Sequence, residues 1–377
     1  MHFDWSAEQQ AAYEAMLAAV REEFPGPVRD GPFSRKDWLV LGGLGLLGLS
    51  VPAEYGGGGL GALDTAHRVE AFGRGCPDTG IVFAASAHLF ACAMPLVGFA
   101  GAAAKKRFLP GMASGELVAG NAMTEEEAGS DVSRLATTAT EVPGGFILNG
   151  TKSFVSNGPE ADVFITYATT DPSLGHLGIT GFVVARESEG LYVGGPHAKM
   201  GLRSVPAGPV TFEDCFVPEE QVLGVPGQGG AIFQHSMSWE RACLFAGYVG
   251  LLDRVLEQSV EHARSRKQFG APIGTYQSVS NRVADMKLRL EGARLLMYSA
   301  CWQMDQGRPS PIGTALSKLA VSQAAVANAL DAVAVFGGRG YLRECGVESV
   351  LRDSVPTTIF SGTSDIQRLV IAKELGL

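Results

Sequence analysis

The sequence predicts an α+β fold in which a small β domain separates two helical regions. Residues 1–119 are rich in Ala and Leu at helical spacing, residues 120–226 contain short β-branched and aromatic runs, and a helical period returns from residue 227. A chain of 377 residues is long enough for two or three domains. We therefore expect an N-terminal helical domain at 1–119, a central β-barrel or β-sandwich domain at 120–226 and a C-terminal four-helix bundle at 227–377.

The N-terminal region shows helical spacing at 7–24, 34–47 and 65–73. Within the second stretch, residues 43–48 match the G-x-G-x-x-G pattern of dinucleotide-binding loops. This match follows a helical stretch instead of a strand, and Pro52 prevents a helix directly after it. We therefore interpret it as a helix end followed by a turn.

The central region contains four runs that predict strands, at 146–148, 163–165, 182–184 and 210–212. Asn149-Gly150 follows the first run, and this dipeptide favours the tight turn of a β-hairpin. We therefore expect a hairpin that turns at this point.

In the C-terminal region, apolar residues recur at steps of three and four along two stretches. This period predicts two long helices, each with one buried face. The first face consists of Val279, Val283, Met286, Leu290, Ala293, Met297 and Ala300, and the second of Leu316, Leu319, Val326, Leu330 and Val333.

Composition excludes several classes of function. A net charge of −9 argues against nucleic-acid binding, which needs a basic surface. The N-terminus lacks a signal-peptide pattern, and no run reaches the ~18 apolar residues of a membrane span, so we expect no membrane association. The six cysteines form no C-x-x-C pair and indicate reduced thiols in the cytoplasm, and the seven histidines show no metal-ligand spacing.

Five ordered segments resemble the flavin-binding motifs of the acyl-CoA dehydrogenase family. They are NAMTEEEAGSD at 121–131, NGTKSFVSNG at 149–158, RSRKQFG at 264–270, FGG at 336–338 and IFSGTSDIQR at 359–368. The N-terminal third resembles the family more weakly, through GLSVPAEYGG at 48–57. The resemblance implies the fold described above and a bound FAD.

The resemblance also implies which residues of the β domain contact FAD. Met123 and Thr124 match the segment that hydrogen-bonds the pyrimidine edge of the flavin, where donors stabilise the charge of the reduced ring. Phe154 matches the aromatic residue that covers the isoalloxazine, and Ser156 matches the hydroxyl beside N5. Ser130 matches a serine beside the flavin and the pantetheine arm of the thioester. For the three consecutive glutamates, 125–127, we favour a solvated acidic loop.

Other matching residues lie in the C-terminal region. In the family, the corresponding segments hold the pyrophosphate and adenine of an FAD bound mainly by a neighbouring subunit, which implies a homotetramer. The matching residues are Arg266, Gln268, Phe269, Gln277, Gly337 and Gly338. Thr363 and Asp365 belong to the last flavin-binding motif and are also expected to contact the cofactor. Ala334 departs from the family's glutamine, which puts one pyrophosphate contact in doubt.

The most informative departure from the family pattern is at the position of the catalytic base. Many family members carry a glutamate just before the Gly-Thr pair of the last motif, but this chain has Ser361 there. A serine hydroxyl cannot take a proton from carbon at neutral pH. Other branches of the family place the base at the position of Glu240, which we expect to have a raised pKa through burial against Trp239. The alternative role for Glu240 is a helix-start carboxylate that interacts with the helix dipole.

The substrate is expected to contact Ser130, Arg241, Phe360, Ser361 and Gly362. The segments AHLFAC at 87–92, GGAIF at 229–233, QSVSNR at 277–282 and DMKLRLE at 285–291 more closely resemble the L-prolyl-carrier-protein dehydrogenases. That resemblance implies a prolyl group on the phosphopantetheine arm of a peptidyl carrier protein, oxidised twice to a pyrrole-2-carboxyl thioester.

Some assignments stay open. His88 has either a hydrogen-bonded packing role or a substrate contact, and the basic triplet at 105–107 is either a carrier-docking patch or a solvated helix face. The alternative activity is that of a short-chain acyl-CoA or acyl-carrier-protein dehydrogenase. An alternative of another class is a catalytically inactive family member that acts as a binding subunit.

Overall fold

The computed structural model describes residues 4–26 and 30–377. Its helices are α1 (Ala7–Glu23), α2 (Arg35–Gly43), α3 (Ala62–Gly75), α4 (Thr79–Ala87), α5 (Met94–Phe99), α6 (Ala102–Ser114), α7 (Gly229–Trp239), α8 (Ala246–Ser265), α9 (Gln277–Asp305), α10 (Pro311–Phe336), α11 (Val347–Ser354) and α12 (Ser364–Glu374). Its strands are β1 (Ala119–Ala122), β2 (Thr138–Val142), β3 (Gly145–Ser156), β4 (Val163–Thr169), β5 (Ile179–Ala185), β6 (Leu191–Val193), β7 (Ala207–Pro218), β8 (Val222–Leu223), β9 (Lys267–Gln268) and β10 (Ala271–Pro272). Helices, a β region and helices follow in chain order, which confirms the predicted α+β class.

Local sequence explains where the first two helices begin and end. Ser6 and Ser34 each form a capping box, in which the serine hydroxyl accepts a hydrogen bond from the backbone of the first turn. Helix α2 ends at Gly43, and the chain then turns at Gly45, whose φ is +74°. The glycine-rich stretch is therefore a helix end and turn, as expected.

Strands β1 to β8 form one mixed sheet in which β4 connects two hydrophobic cores. The strand order is β6-β7-β3-β2-β4-β5-β8, and β1 pairs in parallel with β4. Successive side chains of a strand point to opposite faces. Ile165 and Tyr167 of β4 therefore pack in the large core shared with the helices, whereas Phe164 and Ala168 pack in a second core inside the β domain.

The hairpin turn predicted at Asn149-Gly150 is wrong, because both residues lie inside the continuous strand β3. The pairing of β3 with β7 is irregular between Leu148 and Gly150, which indicates a bulge. Gly150 has a φ of +144°, and a Cβ there would lie 2.6 Å from Thr137 Oγ1. Glycine is thus needed for close packing and not for a turn; the chain turns between β2 and β3 at Gly144 instead.

The buried face predicted for the first long helix is largely confirmed. Helix α9 buries Met286, Leu290, Ala293, Met297 and Ala300, while Val279 and Val283 near its start are only half-buried.

The buried face predicted for the second long helix is wrong. The five large residues of that face are half-buried or exposed; Leu330 of α10, for example, is 52% exposed. The buried apolar residues of α10 are mostly small: Ala315, Val321, Ala324, Ala325, Ala329, Ala332 and Val335. Small side chains allow α8 and α9 to approach α10 closely, so the large ones point outward.

Two helical stretches are long and apolar enough for a membrane span, contrary to the expectation from sequence. They are Thr79–Phe99, with a mean hydropathy of 1.9, and Pro311–Tyr341, with 1.6. The first is 94% buried inside the protein, as expected for a core helix, and the second is 44% buried. Core helices pass the same test of length and composition, so two such stretches are only weakly indicative of a membrane.

Candidate active site

Glu240 lies in a π-helical turn, Glu240–Leu244, at the junction between α7 and α8. A second π-helical segment, His88–Ala93, lies between α4 and α5 and packs against the first. The rings of Phe90 and Trp239 are nearly parallel, with centroids 6.2 Å apart. Single π turns inside α-helices frequently occur at functional sites, because the extra residue changes the direction of the side chains.

The carboxylate of Glu240 is buried and has one free oxygen. Oε2 accepts a hydrogen bond of 2.7 Å from the hydroxyl of Ser361, whereas Oε1 has no partner in the described part of the chain. Burial raises the pKa of Glu240 to about 7, against the opposing effects of the Ser361 hydrogen bond and the charge of Arg241. A carboxylate with this pKa and a free oxygen is suited to take a proton near neutrality.

Arg241 fixes the loop that carries Ser361. Its Nε donates to the backbone oxygen of Ser361 at 3.0 Å, and Gln367 donates to the backbone oxygens of both Ser361 and Gly362. A Cβ at Gly362 would lie 2.7 Å from Gln367 Nε2 and 3.1 Å from Arg241 Nη2, and the φ of this residue is +84°. Glycine is therefore needed for the loop to approach the π-helical turn.

Phe360 adds an apolar wall beside this cluster. Its ring centroid lies 4.6 Å from that of Phe83, 5.5 Å from that of Phe245 and 6.1 Å from that of Tyr248. The structure thus brings together five of the predicted site residues: Glu240, Arg241, Phe360, Ser361 and Gly362. Ser130 is exposed in a separate loop, and the hydrogen bonds of the described residues do not join it to this cluster.

The predicted flavin contacts of the β domain are Met123, Thr124, Phe154 and Ser156. The backbone N–H of Ser153 donates to the carbonyl of Thr124 at 2.8 Å, which joins the two segments. Phe154 has a φ of +56°, is 63% exposed, and has its ring centroid 5.3 Å from that of His197. A bulky residue at positive φ is uncommon, and such strain clusters at ligand sites.

The prediction of a solvated loop is wrong for Glu125. Its side chain is buried and pairs with the fully buried Lys152 at 2.7 Å. The backbone N–H groups of Ala136 and Thr137 also donate to this carboxylate, at 2.6 Å and 3.0 Å, and Lys152 Nζ donates to the carbonyl of Met123 at 3.2 Å. A buried lysine needs such partners because an unpaired buried charge is costly.

The sequence reasoning missed this ion pair, although one signal was available. Lys152 occupies an inward position of β3, between the outward-facing Thr151 and the half-buried Ser153. A lysine on the buried face of a strand predicts a buried acid nearby. The pair joins the segment of Met123 and Thr124 to the strand that carries Phe154.

Six of the other predicted cofactor contacts lie on the outer surface. Arg266, Gln268 and Phe269 are exposed on the β9–β10 hairpin, Gln277 is exposed at the start of α9, and Gly337 and Gly338 are exposed after α10. His262 shows that the hairpin and the end of α10 are adjacent. Its ring stacks on that of Phe336 with centroids 4.2 Å apart, and burial together with the charges of Arg339 and Arg266 lowers its pKa.

Two further predicted contacts have local partners. The side chain of Thr363 caps α12 by accepting a hydrogen bond from the N–H of Ile366, and Asp365 pairs with Arg368 at 2.7 Å. None of the hydrogen bonds and ring contacts among the described residues joins the hairpin to Thr124 or Phe154 within one chain.

His88 has the packing role. Its Nε2 lies 3.1 Å from the carbonyl of Met112, and its Nδ1 accepts from the N–H of Ala119 at 2.9 Å. Burial lowers the pKa of this histidine to about 4, so the ring is neutral at pH 7. In the basic triplet on α6, Arg107 pairs with Glu187 at 3.2 Å.

Comparison with protein families covers almost the whole chain. The model of the acyl-CoA dehydrogenase N-terminal domain matches residues 6–116, that of the middle domain residues 120–215 and that of the C-terminal domain residues 227–376. An L-prolyl-[peptidyl-carrier protein] dehydrogenase of Pseudomonas fluorescens is 55% identical over 377 residues, covering 100% of this chain and 99% of the relative. A protein of the same name from Serratia sp. is 43% identical over 381 residues, with coverages of 100% and 99%.

Solved structures agree with these relatives. A structure described as PigA with FAD and proline superposes with a TM-score of 0.96 at 43% identity, over 100% of both chains. The prolyl acyl carrier protein oxidase AnaB gives a TM-score of 0.94 at 39% identity, over 99% of this chain and 100% of the other. With family models matching all three regions, the chain belongs to the acyl-CoA dehydrogenase family.

Proposed function

We propose that this protein is an FAD-dependent dehydrogenase that oxidises an L-prolyl thioester on a carrier protein to the pyrrole-2-carboxyl thioester. The structural observation that carries the proposal is the buried Glu240, which has one oxygen held by Ser361 and the other free. Relatives named for this activity are 55% and 43% identical to the chain over its whole length. Each of two successive oxidations removes two hydrogens from the prolyl ring, and an electron acceptor such as dioxygen or an electron-transfer flavoprotein must reoxidise the FAD after each one.

The residues of the site divide the work of the first oxidation. Glu240 takes the α-proton of the thioester through its free Oε1, and its pKa of about 7 lets it do so near neutrality. Ser361 holds the other carboxylate oxygen, and Arg241 holds the loop of Ser361. FAD, when bound, accepts the hydride that leaves the neighbouring carbon, so that one proton and one hydride account for the two hydrogens lost.

The chain has surfaces that fit FAD. Phe154 and Phe269 expose 63% and 96% of their side chains, and exposed aromatic rings at strained backbone positions suit contacts with a planar ring system. A Cβ at Gly337 or Gly338 would meet nothing within 4 Å, which leaves room for a ligand beside the backbone, and Arg266 and Arg339 add positive charge for a pyrophosphate. Met123, Thr124 and Ser156 remain the predicted contacts of the flavin ring.

We also propose that the protein is a homotetramer. Leu316 and Leu330 on the outer face of α10 are exposed in one chain, as are Leu288 and Leu295 of α9 and Leu369 of α12, which are 72%, 52% and 64% exposed. Contiguous exposed apolar surface is typical of subunit interfaces. The exposed hairpin of Arg266 and Phe269 is then free to contact the FAD of a neighbouring subunit, as the family resemblance implies.

The partner and the compartment follow from the same proposal. A carrier protein would present the prolyl group on its phosphopantetheine arm, with Ser130 beside the arm and the exposed residues of the triplet at 105–107 as candidates for docking. All six cysteines are free thiols and five of them are buried, which suits a reducing cytoplasm.

The decisive experiment uses carrier protein loaded with L-proline. Incubation with the enzyme should give a product that is lighter by four hydrogens in intact-protein mass spectrometry. Carrier protein loaded with a butyryl group is the control substrate. Oxidation of the butyryl group alone would show an ordinary short-chain dehydrogenase, and oxidation of neither by an FAD-loaded protein would show a binding subunit.

A further inference from the structure

Tyr167 of β4 has a hydroxyl that its surroundings leave unpaired. The residue is fully buried and faces the helices, and its ring packs edge-to-face against Phe233 with centroids 5.8 Å apart. No group among residues 4–26 and 30–377 meets the geometry of a hydrogen bond to this hydroxyl. Ser236 is near enough for its oxygen to accept from Tyr167, but its own hydrogen is donated to the carbonyl of Phe233 at 2.9 Å, so the oxygen of Tyr167 has no donor.

Two other tyrosines of this protein, Tyr248 and Tyr298, have paired hydroxyls. Tyr248, equally buried, donates to the carbonyl of Asp353 at 3.1 Å, and Tyr298 donates to the carboxylate of Glu70 at 2.6 Å. A buried hydroxyl without a partner costs free energy in the free protein. Such a group needs an explanation, and a ligand that supplies the missing partner is one.

Tyr167 lies close to the catalytic carboxylate. Its ring packs against Phe233 of α7, the helix that ends directly before Glu240, and burial together with the charges of Cys92 and Glu240 raises the pKa of its hydroxyl. Glu240 Oε1 is itself unpaired. Asn121 of β1 adds a third unpaired buried oxygen, its Oδ1.

Asn121 and Tyr167 share one face of the sheet. Asn121 pairs in parallel with Ile165, and Tyr167 follows two residues later on the same side of β4. The π-helical segment His88–Ala93 packs against both strands and also against the π-helical turn of Glu240. Two unpaired polar atoms, Asn121 Oδ1 and the hydroxyl of Tyr167, therefore lie on the sheet face that packs against this segment.

This polarity suits an aminoacyl group better than a fatty acyl group. A fatty acyl chain presents only C–H groups, whereas a prolyl ring presents one N–H, and burying an N–H without a partner is costly. The ring nitrogen is bonded to the α-carbon, from which Glu240 takes its proton. Any side chain that pairs with this nitrogen must therefore lie near Glu240, and Tyr167 packs on α7, the helix that leads into Glu240.

We propose that Tyr167 is a specificity-determining residue whose hydroxyl accepts a hydrogen bond from the ring N–H of the prolyl group. The inference rests on the proposed function and names the group by which the site recognises its substrate. The hydroxyl then selects a cyclic secondary amine over a carbocycle of the same shape. Pairing with the substrate also replaces the partner that the free protein lacks.

The test compares Tyr167→Phe with the wild type on two carrier-bound ligands of equal size. One is prolyl-carrier protein, for which kcat/KM is measured. The other is cyclopentanecarboxyl-carrier protein, which has CH₂ in place of N–H and is measured as a competitor. We define the preference as kcat/KM for the prolyl ligand multiplied by the inhibition constant of the cyclopentanecarboxyl ligand. This preference should fall about tenfold to a hundredfold in Tyr167→Phe, the loss expected for one buried hydrogen bond.

Rates are divided by the concentration of FAD-loaded enzyme, so that the folded fraction does not affect the measured preference. Tyr298→Phe is the matched control, since it removes a paired hydroxyl outside the site: it should lower the melting temperature and leave the preference unchanged. Tyr167→Phe should keep or raise the melting temperature, because it removes an unpaired group.

An unchanged preference in Tyr167→Phe, or a fall in its melting temperature as large as that of Tyr298→Phe, would overturn the inference while leaving the proposed function intact. Absence of prolyl oxidation by the wild type would instead overturn both.

Discussion

The hydroxyl of Ser361 donates a hydrogen bond of 2.7 Å to Oε2 of Glu240, across 121 positions of the sequence. Ser361 occupies the position where many members of the family carry their base. In this chain that position supports the carboxylate instead, because Arg241 and Gln367 fix the backbone oxygen of Ser361. The serine therefore orients one carboxylate oxygen and leaves the other free to react.

Glu240→Gln should abolish most of the oxidation of the prolyl thioester. Glutamine keeps the shape and still pairs with Ser361, but it cannot take a proton from carbon. We expect a loss of about a hundredfold to ten-thousandfold in kcat, measured by intact mass on prolyl-carrier protein, with FAD still bound. Wild-type rates in this variant would refute the assignment of the base.

Ser361→Ala should retain most activity but shift its dependence on pH. Glu240 must be ionised to act, so the wild-type rate should rise as the pH passes about 7. The hydrogen bond from Ser361 lowers the pKa of Glu240, so its loss raises that pKa and moves the rise to higher pH. Values of kcat/KM measured between pH 5 and 9 would show the shift of this rise to higher pH. A pH profile identical to that of the wild type would contradict the role of the serine.

Ser361→Glu should partly restore activity to the Glu240→Gln variant. The hydrogen bond between the two side chains shows that both reach the same space. A carboxylate placed at 361 can then face the same α-carbon. The control is Ser361→Gln in the same background, which has the same size without basicity; equal rates for the two double variants would rule out the restored base.

Lys152→Met should destabilise the protein and weaken FAD binding. It leaves Glu125 buried without its partner, which typically costs about 3–5 kcal/mol. The double variant Glu125→Gln/Lys152→Met removes both charges and should recover part of the loss. Melting temperature and FAD affinity, from the quenching of flavin fluorescence, are the measurements. Equal stability of the single and double variants would contradict a coupled pair.

Leu330→Glu should break the proposed tetramer. Leu330 lies on the outer face of α10 and is 52% exposed in one chain, so a carboxylate there costs nothing until a second copy covers it. Leu174, which is 54% exposed in a loop of the β domain, provides the control Leu174→Glu. Light scattering should show smaller particles only for Leu330→Glu, and a tetramer in both would place the interface elsewhere.

Much of the fold could be predicted from periodicity, but not which face of α10 is buried. The buried stripe of α9 followed from its large apolar residues, because they face the core. On α10 the same pattern of large residues marks the outside, since close packing against α8 and α9 selects alanines. The helical spacing of apolar residues shows which of them share a face, but it does not show whether that face packs against the core or against another subunit.

The residues of the active-site cluster that lie in family motifs could be predicted from the sequence. Glu240, Arg241 and Ser361 followed from the resemblance, and the structure brings them into contact. The ion pair of Glu125 and Lys152 and the unpaired hydroxyl of Tyr167 were missed. They depend on which strand residues face each other across the fold, and that information lies in tertiary packing instead of local sequence.

The π-helical turn at Glu240–Leu244 has a consequence for insertions and deletions. Such a turn contains one residue more than an α-helical turn, so deleting one residue there could regularise the helix from Gly229 to Ser265 without breaking it. The deletion would leave the two halves of the helix in nearly the same relative orientation, but it would turn side chains within the former π turn by about 100°, the angle between successive residues of an α-helix. Such a variant could fold and melt normally while its carboxylate faced away from the substrate, so a screen for stability alone would not detect the damage.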